Sequence, residues 1–319
     1  MKIGQLANSL DKILTKCVIC PHKCRVNRKK GEKGFCDAGY DTVISSAMPH
    51  HGEEPPISGT KGSGTIFFSH CNMKCIYCQN YQISQEHEGR KTSIANLAAS
   101  MLELQNLGCH NINLVSPTIW IPQIIKALEI AKSSGLDIPL VFNTGGYESP
   151  QIIKMLDGIV DIYMPDMRYS NSSYAEKYSK VKDYVKYNRL SLKEMFSQVG
   201  PLKVDANGTA IKGVLIRLLV MPENIGGIKE TLDFIKKELS TDVYLSIMAQ
   251  YHPTYKAYNY PKLNRRISAR EYLEVTNYSK ELGFNSGWTQ DHVSLSIKED
   301  LFIPNFKDKK IFKFYKKNK

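Results

Sequence analysis

Seven of the eight cysteines in this 319-residue sequence fall into two compact groups. The first group has the spacing C-x2-C-x3-C-x11-C and the second has C-x3-C-x2-C; their members are Cys17, Cys20, Cys24 and Cys36, then Cys71, Cys75 and Cys78. The remaining Cys109 stands alone and is expected to be a buried packing residue. Grouped cysteines in a reducing compartment are more often metal-binding or catalytic than disulfide-bonded, so the sequence predicts two metal sites.

The second group offers one ligand fewer than a four-iron cluster can take. Three thiolates leave one iron of a [4Fe-4S] cluster open, and an open coordination position is where chemistry takes place. A zinc site that borrows a histidine such as His70 is the alternative on spacing alone.

The first group closes a coordination shell by itself. Four thiolates suit a structural zinc or an electron-transfer cluster. We expect zinc, with an auxiliary [4Fe-4S] cluster or reduced free thiols as the alternatives.

The formal charge of +12 is concentrated at the end of the chain. Residues 307–319 hold seven lysines and one aspartate, so this tail supplies half of the excess. We interpret it as a solvated terminus, with a docking or nucleic-acid role of the tail as the alternative; the remaining chain is only mildly basic, which argues against a nucleic-acid partner. No run of 18 apolar residues and no export signal occurs, so we expect a cytoplasmic protein without a membrane partner.

From about residue 64, short apolar runs alternate with longer amphipathic stretches, as in repeated βα units. The predicted strands are residues 65–69, 112–116, 138–143, 159–164, 214–221 and 243–249. The predicted helices are residues 93–107, 122–133, 150–156, 172–187, 228–239 and 269–282. The pattern predicts an α/β fold: a partial (β/α)6 TIM-like barrel at residues 64–290, a small Cys-rich metal-binding module at residues 1–63, and a C-terminal extension at residues 291–319.

The later predicted strands end at or just before Ser116, Asn143, Asp166, Pro222 and Gln250, all polar except the proline. Active sites of such barrels lie where the βα loops meet at the carboxyl ends of the strands. The first strand runs directly into the three-cysteine group, so these segments are expected to converge there.

The stretch Cys71-Asn72-Met73-Lys74-Cys75-Ile76-Tyr77-Cys78 resembles the signature of radical S-adenosylmethionine (SAM) enzymes, including the aromatic residue before the third cysteine. The resemblance implies that the amino and carboxylate groups of SAM chelate the open iron. One electron then cleaves SAM to methionine and a 5'-deoxyadenosyl radical, which abstracts a hydrogen atom. The protein positions the cofactors and excludes water.

Three flanking segments, residues 51–59, 62–68 and 78–81, look like an uncharacterised branch related to pyruvate formate-lyase activating enzymes. This resemblance implies an oxidoreductase that accepts electrons from a flavodoxin- or ferredoxin-like protein and acts on a protein or peptide, with glycyl-radical formation as one outcome. A non-catalytic iron-sulfur or zinc protein, acting in electron transfer or nucleic-acid binding, is the competing interpretation.

The same resemblance implies the SAM contacts. Ser116 and Thr118 would bind the ammonium, Asn143 and Thr144 the ribose, and Asp166 with Arg168 the methionyl end. Arg217 lies within an apolar strand and needs a negative partner, which the SAM carboxylate would supply. The remaining implied contacts are Tyr77, Asn80, Gln250 and His252.

Overall fold

The computed structural model describes residues 2–290 and 305–307. The strands are β1 Thr42–His50, β2 Ser63–Phe68, β3 Arg90–Thr92, β4 Ile112–Val115, β5 Leu140–Thr144, β6 Ile162–Pro165, β7 Lys203–Val204, β8 Ala210–Leu219, β9 Tyr244–Met248 and β10 Gly287–Thr289. The helices are α1 Ile3–Ile13, α2 Pro55–Ser58, α3 Tyr81–Ser84, α4 Ile94–Asn106, α5 Ile121–Ser133, α6 Pro150–Met155, α7 Ser172–Ser179, α8 Tyr184–Val199, α9 Ile228–Glu238 and α10 Ala269–Glu281.

One sheet organises these elements, in the order β10-β9-β8-β6-β5-β4-β2-β1-β3, with β7 paired to β8. Neighbouring strands from β2 to β10 along this order are parallel, whereas β1 is antiparallel to both β2 and β3. The predicted α/β fold class is confirmed. Within the described residues the parallel part has one strand more than predicted, because β10 was too short to be recognised.

The two faces of the sheet have different environments. In β8, Val214, Ile216 and Leu218 belong to the main core with the helices. On the other face, Leu215 packs with a second apolar cluster that includes Ile57 of α2. Since side chains alternate along a strand, Arg217 lies on the same face as Leu215, two residues closer to the carboxyl end of β8.

Strand β1 extends the sheet into the segment that the sequence assigned to the N-terminal module. Its residues pair with β2 from Ile44 to His50, and α1 packs against α5. The sheet therefore extends across the predicted domain boundary at residue 64. The boundary itself stays a prediction. Residues 291–304 and 308–319, most of the predicted C-terminal extension and its basic tail, lie outside the described residues.

The predicted helix at residues 172–187 is wrong as a single element. The chain instead forms α7 and α8, separated by a turn in which Lys180 and Asp183 adopt left-handed backbone angles, with φ of 58° and 54°. A non-glycine residue in that region cannot continue a right-handed helix.

Among the described residues, no helix is both long and apolar enough to cross a membrane.

Candidate active site

The three-cysteine loop begins directly after β2. His70 adopts a left-handed conformation, with φ of 66°, and turns the chain out of the strand into Cys71. Burial and, to a smaller extent, the nearby Cys75 raise the pKa of Cys71 to about 12 and that of Cys78 to about 11. These two thiols therefore stay protonated until a positive metal centre displaces their protons.

Each sulfur of this loop receives hydrogen bonds from its surroundings. The Ser179 hydroxyl lies 3.0 Å from Cys75 Sγ, and Arg168 Nη1 lies 3.7 Å from the same atom. The Ser84 hydroxyl lies 3.2 Å from Cys78 Sγ. The backbone N–H groups of Met73 and Asn80 face Cys71 and Cys78. Three grouped thiols surrounded by donors fit a [4Fe-4S] cluster, whose potential depends on hydrogen bonds to its sulfurs.

A series of hydrogen-bonded hydroxyl groups ends at the Cys75 sulfur. Tyr77, predicted to contact SAM, bonds through its hydroxyl to that of Tyr169 at 2.7 Å. The Tyr169 hydroxyl in turn lies 2.6 Å from that of Ser179. Tyr77 thus braces the cysteine loop, and a SAM contact for it stays a prediction. The predicted contact Asn80 directly precedes α3, and its carbonyl oxygen accepts from the Ser84 N–H.

Two arginines and one aspartate connect the cluster loop to the ends of three strands. Asp166, after β6, accepts from Arg168 Nη2 at 2.5 Å and from Arg217 Nε at 2.8 Å. Arg217 Nη2 also donates to Asn143 Oδ1 of β5 at 2.6 Å. Four residues that the sequence predicted at the SAM pocket therefore form one network, and Arg168 links it to Cys75.

Glu53 and Glu54 also reach this network. Arg217 Nη1 lies 3.8 Å from a Glu53 carboxylate oxygen, and Arg217 Nε lies 4.0 Å from Glu54. Burial raises the pKa of Glu54 to about 6, although Arg217 lowers it. Three protein carboxylates thus lie beside the positive charge of Arg217. The sequence predicts the carboxylate of SAM as the partner of this arginine.

The predicted SAM contacts Thr118 and Thr144 share an unpredicted partner. Both hydroxyls donate to the same carboxylate oxygen of Glu148, at 2.6 Å for Thr118. Glu148 is completely buried, and this burial raises its pKa to about 7. The hydroxyl protons therefore point to protein rather than to the pocket. Ser116 turns the chain there with φ of 59°, and its N–H donates to the Asn143 carbonyl.

The segment after β9 lies against the cysteine loop. Gln79 Nε2 is 3.5 Å from the carbonyl oxygen of Gln250, and the Lys256 N–H donates to the Ile76 carbonyl at 2.9 Å. His252, two residues after Gln250, is also buried. The structure thus brings the loop next to the predicted contact Gln250, while SAM binding by Gln250 and His252 stays a prediction.

The first cysteine group surrounds a separate pocket, lined by Cys17, Cys20, Cys24 and Cys36. In residues 2–290 and 305–307, no three His, Cys, Asp or Glu side chains are grouped compactly enough to hold a single metal ion. A four-iron cluster separates its cysteine sulfurs more widely, because each sulfur binds a different iron atom. The predicted zinc at this group stays untested.

Comparison with protein-family models identifies the family to which the chain with this three-cysteine site belongs. The model of the Radical SAM superfamily matches residues 65–235, more than half of the chain, and this range contains β2 and the three-cysteine loop. The chain belongs to the radical SAM superfamily. It is therefore an enzyme of SAM-dependent radical chemistry, and the superfamily implies a [4Fe-4S] cluster and SAM as its cofactors. The branch related to pyruvate formate-lyase activating enzymes stays a prediction.

Two proteins of Methanocaldococcus jannaschii are similar over most of their length. Uncharacterized protein MJ0674 is 34% identical over 271 residues, which cover 81% of this chain and 72% of that protein. Uncharacterized protein MJ0808 is 24% identical over 282 residues, covering 82% and 78%.

Two similar solved structures are more distant in sequence than these two relatives. SuiB of Streptococcus suis bound to its precursor peptide SuiA has a TM-score of 0.48 and 14% identity, covering 69% of this chain and 46% of SuiB. The FeFe-hydrogenase maturase HydG of Carboxydothermus hydrogenoformans has a TM-score of 0.48 and 11% identity, covering 71% and 53%. The chain thus spans about half the length of these structures.

Proposed function

We propose that this radical SAM enzyme is of the activating type. It cleaves SAM reductively at the cluster of Cys71, Cys75 and Cys78 and abstracts a hydrogen atom from a glycine residue of a partner protein. A flavodoxin- or ferredoxin-like protein supplies the electron. The sequence resemblance at residues 51–59, 62–68 and 78–81 supports this choice of branch.

The observation that carries the proposal is the position of Arg168. Its guanidinium lies between the Cys75 sulfur at 3.7 Å and the Asp166 carboxylate at 2.5 Å. Its Nε is buried, and among the described residues it has no hydrogen-bond partner. A donor held at this point can bind a carboxylate such as that of the methionyl end of SAM, because guanidinium groups bind carboxylates with high geometric specificity.

When bound, the cluster supplies the electron that splits SAM into methionine and a 5'-deoxyadenosyl radical. The residues of the chain hold and shield that centre. Tyr77 and Ser179 fix the position of Cys75 through their hydroxyl groups. Met73, Cys75 and Tyr77 are each at most 4% exposed, so this side of the loop keeps water away from the radical.

The first experiment is anaerobic reconstitution with iron and sulfide, followed by addition of SAM and dithionite. We expect 5'-deoxyadenosine and methionine to accumulate in equal amounts, because one cleavage releases both. The conservative variant Arg168→Lys keeps the charge but loses the planar, two-point donor geometry. It should raise the KM for SAM more than it lowers kcat, whereas a change in kcat alone would contradict a role in SAM binding.

The glycine target is tested separately with a glycyl-radical enzyme, pyruvate formate-lyase, as the probe. Incubation with the reconstituted chain, SAM and reduced flavodoxin should produce the electron paramagnetic resonance doublet of a glycyl radical. Formation of 5'-deoxyadenosine without that doublet in this and other glycyl-radical enzymes would reject the activating role while leaving SAM cleavage intact.

A further inference from the structure

The four-cysteine pocket is constructed like the active-site loop. The Phe35 N–H donates to Cys24 Sγ at 3.4 Å, the same distance that separates the Met73 N–H from Cys71 Sγ. Two more backbone N–H groups face cysteine sulfurs in this pocket, those of His22 toward Cys20 and Ala38 toward Cys36. Backbone donors of this kind stabilise negative charge on a metal-bound thiolate.

Glycine is required where this pocket is tightest. A Cβ atom on Gly34 would lie 2.8 Å from both the Cβ and the Sγ of Cys24. No real Cβ contact is that short, so the backbone at Gly34 can approach the sulfur only without a side chain.

A buried arginine balances the charge of the pocket. Arg28 is 1% exposed, and its guanidinium donates to the carbonyl oxygens of Gly39 and Ile119 rather than to a carboxylate. Arg28 also lines the four-cysteine pocket. A buried cation is costly without a negative partner, and a metal centre with four thiolates is such a partner.

The pocket is joined to the catalytic loop by two direct hydrogen bonds. Nδ1 of His70, the residue before Cys71, donates to the carbonyl oxygen of Cys36 at 3.1 Å. Nε2 of His22 donates to the carbonyl oxygen of Asn72, the residue after Cys71, at 2.9 Å. The first bond connects a cysteine of one group to a cysteine of the other through a single histidine. A metal that only stabilised the fold would need no such connection.

We propose that the four N-terminal cysteines hold a second [4Fe-4S] cluster, which relays electrons to the SAM cluster. The inference rests on the SAM-cleaving activity and replaces the zinc expected from the sequence. The backbone donors to sulfur that both cysteine groups share, and the hydrogen bonds between the two loops, support it.

The electron balance of the relay is simple. A one-electron protein reductant of the flavodoxin class converts the second cluster from its 2+ to its 1+ state. The second cluster then returns to 2+ as it reduces the SAM cluster from 2+ to 1+. No proton moves and no bond changes in the relay, and the electron leaves the SAM cluster when SAM is cleaved. Zinc has no second redox state in proteins and cannot perform this step.

The test uses the full chain, reconstituted anaerobically, with iron, sulfide and zinc counted together. We expect about eight irons per chain and no zinc, because two four-iron clusters form. In Cys20→Ser, about four irons should remain, and 5'-deoxyadenosine formation with reduced flavodoxin should be at least about ten-fold slower. Titanium(III) citrate, a small reductant that reaches the SAM cluster directly, should restore the rate to that of the intact chain.

The outcomes separate this inference from the proposed function. One zinc and about four irons in the intact chain, with normal SAM cleavage, would overturn the second cluster alone. Equal slowing of Cys20→Ser with both reductants, or no slowing, would overturn the relay. Absence of 5'-deoxyadenosine in the intact chain with titanium(III) citrate would instead overturn the proposed function.

A second variant keeps the test valid if Cys20→Ser does not fold. Combined replacement of Cys71, Cys75 and Cys78 by alanine removes the SAM cluster and leaves the N-terminal cysteines unchanged. This variant should retain about four irons and show a reduced [4Fe-4S] signal by electron paramagnetic resonance. An iron-free protein would overturn the proposal.

Discussion

At the scale of single residues, Cys75 is the most constrained ligand of the active site. It is 4% exposed and receives hydrogen bonds from both Ser179 and Arg168. Cys75→Ala should abolish 5'-deoxyadenosine formation, because two thiolates cannot hold the catalytic cluster. Cys109→Ala, a buried cysteine outside both groups, is the matched control and should keep its iron and activity. Retained SAM cleavage in Cys75→Ala would disprove the assignment of the cluster ligands.

Glu148 should make the stability of the chain depend on pH. Its pKa is raised from 4.5 to about 7 by burial, so the folded chain holds a proton that the unfolded chain has lost. Its favourable contribution is therefore complete below pH 4.5 and is lost as the pH rises through about 7. Glu148→Gln still accepts from Thr118 and Thr144 but has no such proton to lose.

We expect the free energy of unfolding of Glu148→Gln, relative to the unmodified chain, to rise by up to about 3 kcal/mol between pH 5 and pH 8. Urea denaturation at the two pH values measures this difference. Glu103→Gln, on an exposed position of α4, controls for the loss of one carboxylate. A difference independent of pH would show that Glu148 is ionised in the folded chain throughout.

At the scale of elements, Arg217 joins β8 to β5, to the end of β6 and to the residues before α2. Arg217→Met would leave Asp166, Glu53 and Glu54 without their shared cation in a buried place. Breaking a buried ion pair by removing one partner costs about 3 to 5 kcal/mol, and we expect a loss of this size in chemical denaturation.

The control for this prediction is Arg270→Met, whose side chain is 88% exposed and forms only a surface pair with Glu274. It should change stability by less than about 1 kcal/mol. Adding Glu53→Gln and Glu54→Gln to Arg217→Met should recover part of the loss. Equal effects of Arg217→Met and Arg270→Met would mean that the buried network contributes nothing to stability.

The strands of the parallel sheet could be predicted because strands covered on both faces are short, nearly continuous apolar runs. The positions of Asn143, Asp166 and Gln250 followed from that prediction, since parallel strands present their carboxyl ends on one side. The contact of Glu53 and Glu54 with Arg217 could not be predicted, because it depends on how α2 packs beneath the sheet. Nor does any local pattern indicate that Glu148 accepts the hydroxyls of Thr118 and Thr144.

At the scale of the whole molecule, the Asp11 carboxylate of α1 binds side chains from separate parts of the chain. Burial by itself would raise the pKa of Asp11, but hydrogen bonds from Lys126, Lys29 and Tyr40 outweigh it and lower the pKa to about 2. Lys126 belongs to α5, at 2.6 Å, and Tyr40 precedes β1, at 2.8 Å. Lys29 lies within the cysteine-rich segment. One carboxylate thus connects α1 with three other parts of the chain.

Asp11→Asn should lower the free energy of unfolding by about 2 kcal/mol at pH 7. Because the pKa of Asp11 is depressed, its contribution is present above pH 3.8 and is lost as the pH falls through about 2, so the difference should narrow in acid. Thermal and urea denaturation between pH 2 and pH 7 measure it. The exposed neighbour Lys12→Ala is the control. An unchanged stability at pH 7 would show that α1 is held by apolar packing alone.

Strand β3 has a consequence for the behaviour of the protein in concentrated solution. Within residues 2–290 and 305–307 it forms one end of the sheet, and its three residues include Arg90 and Lys91. An unpaired strand edge invites pairing with a second molecule, but a short edge with basic side chains brings like charges together when two copies meet. The protein therefore resists aggregation at this edge most strongly at low ionic strength, and added salt weakens that resistance by screening the charges.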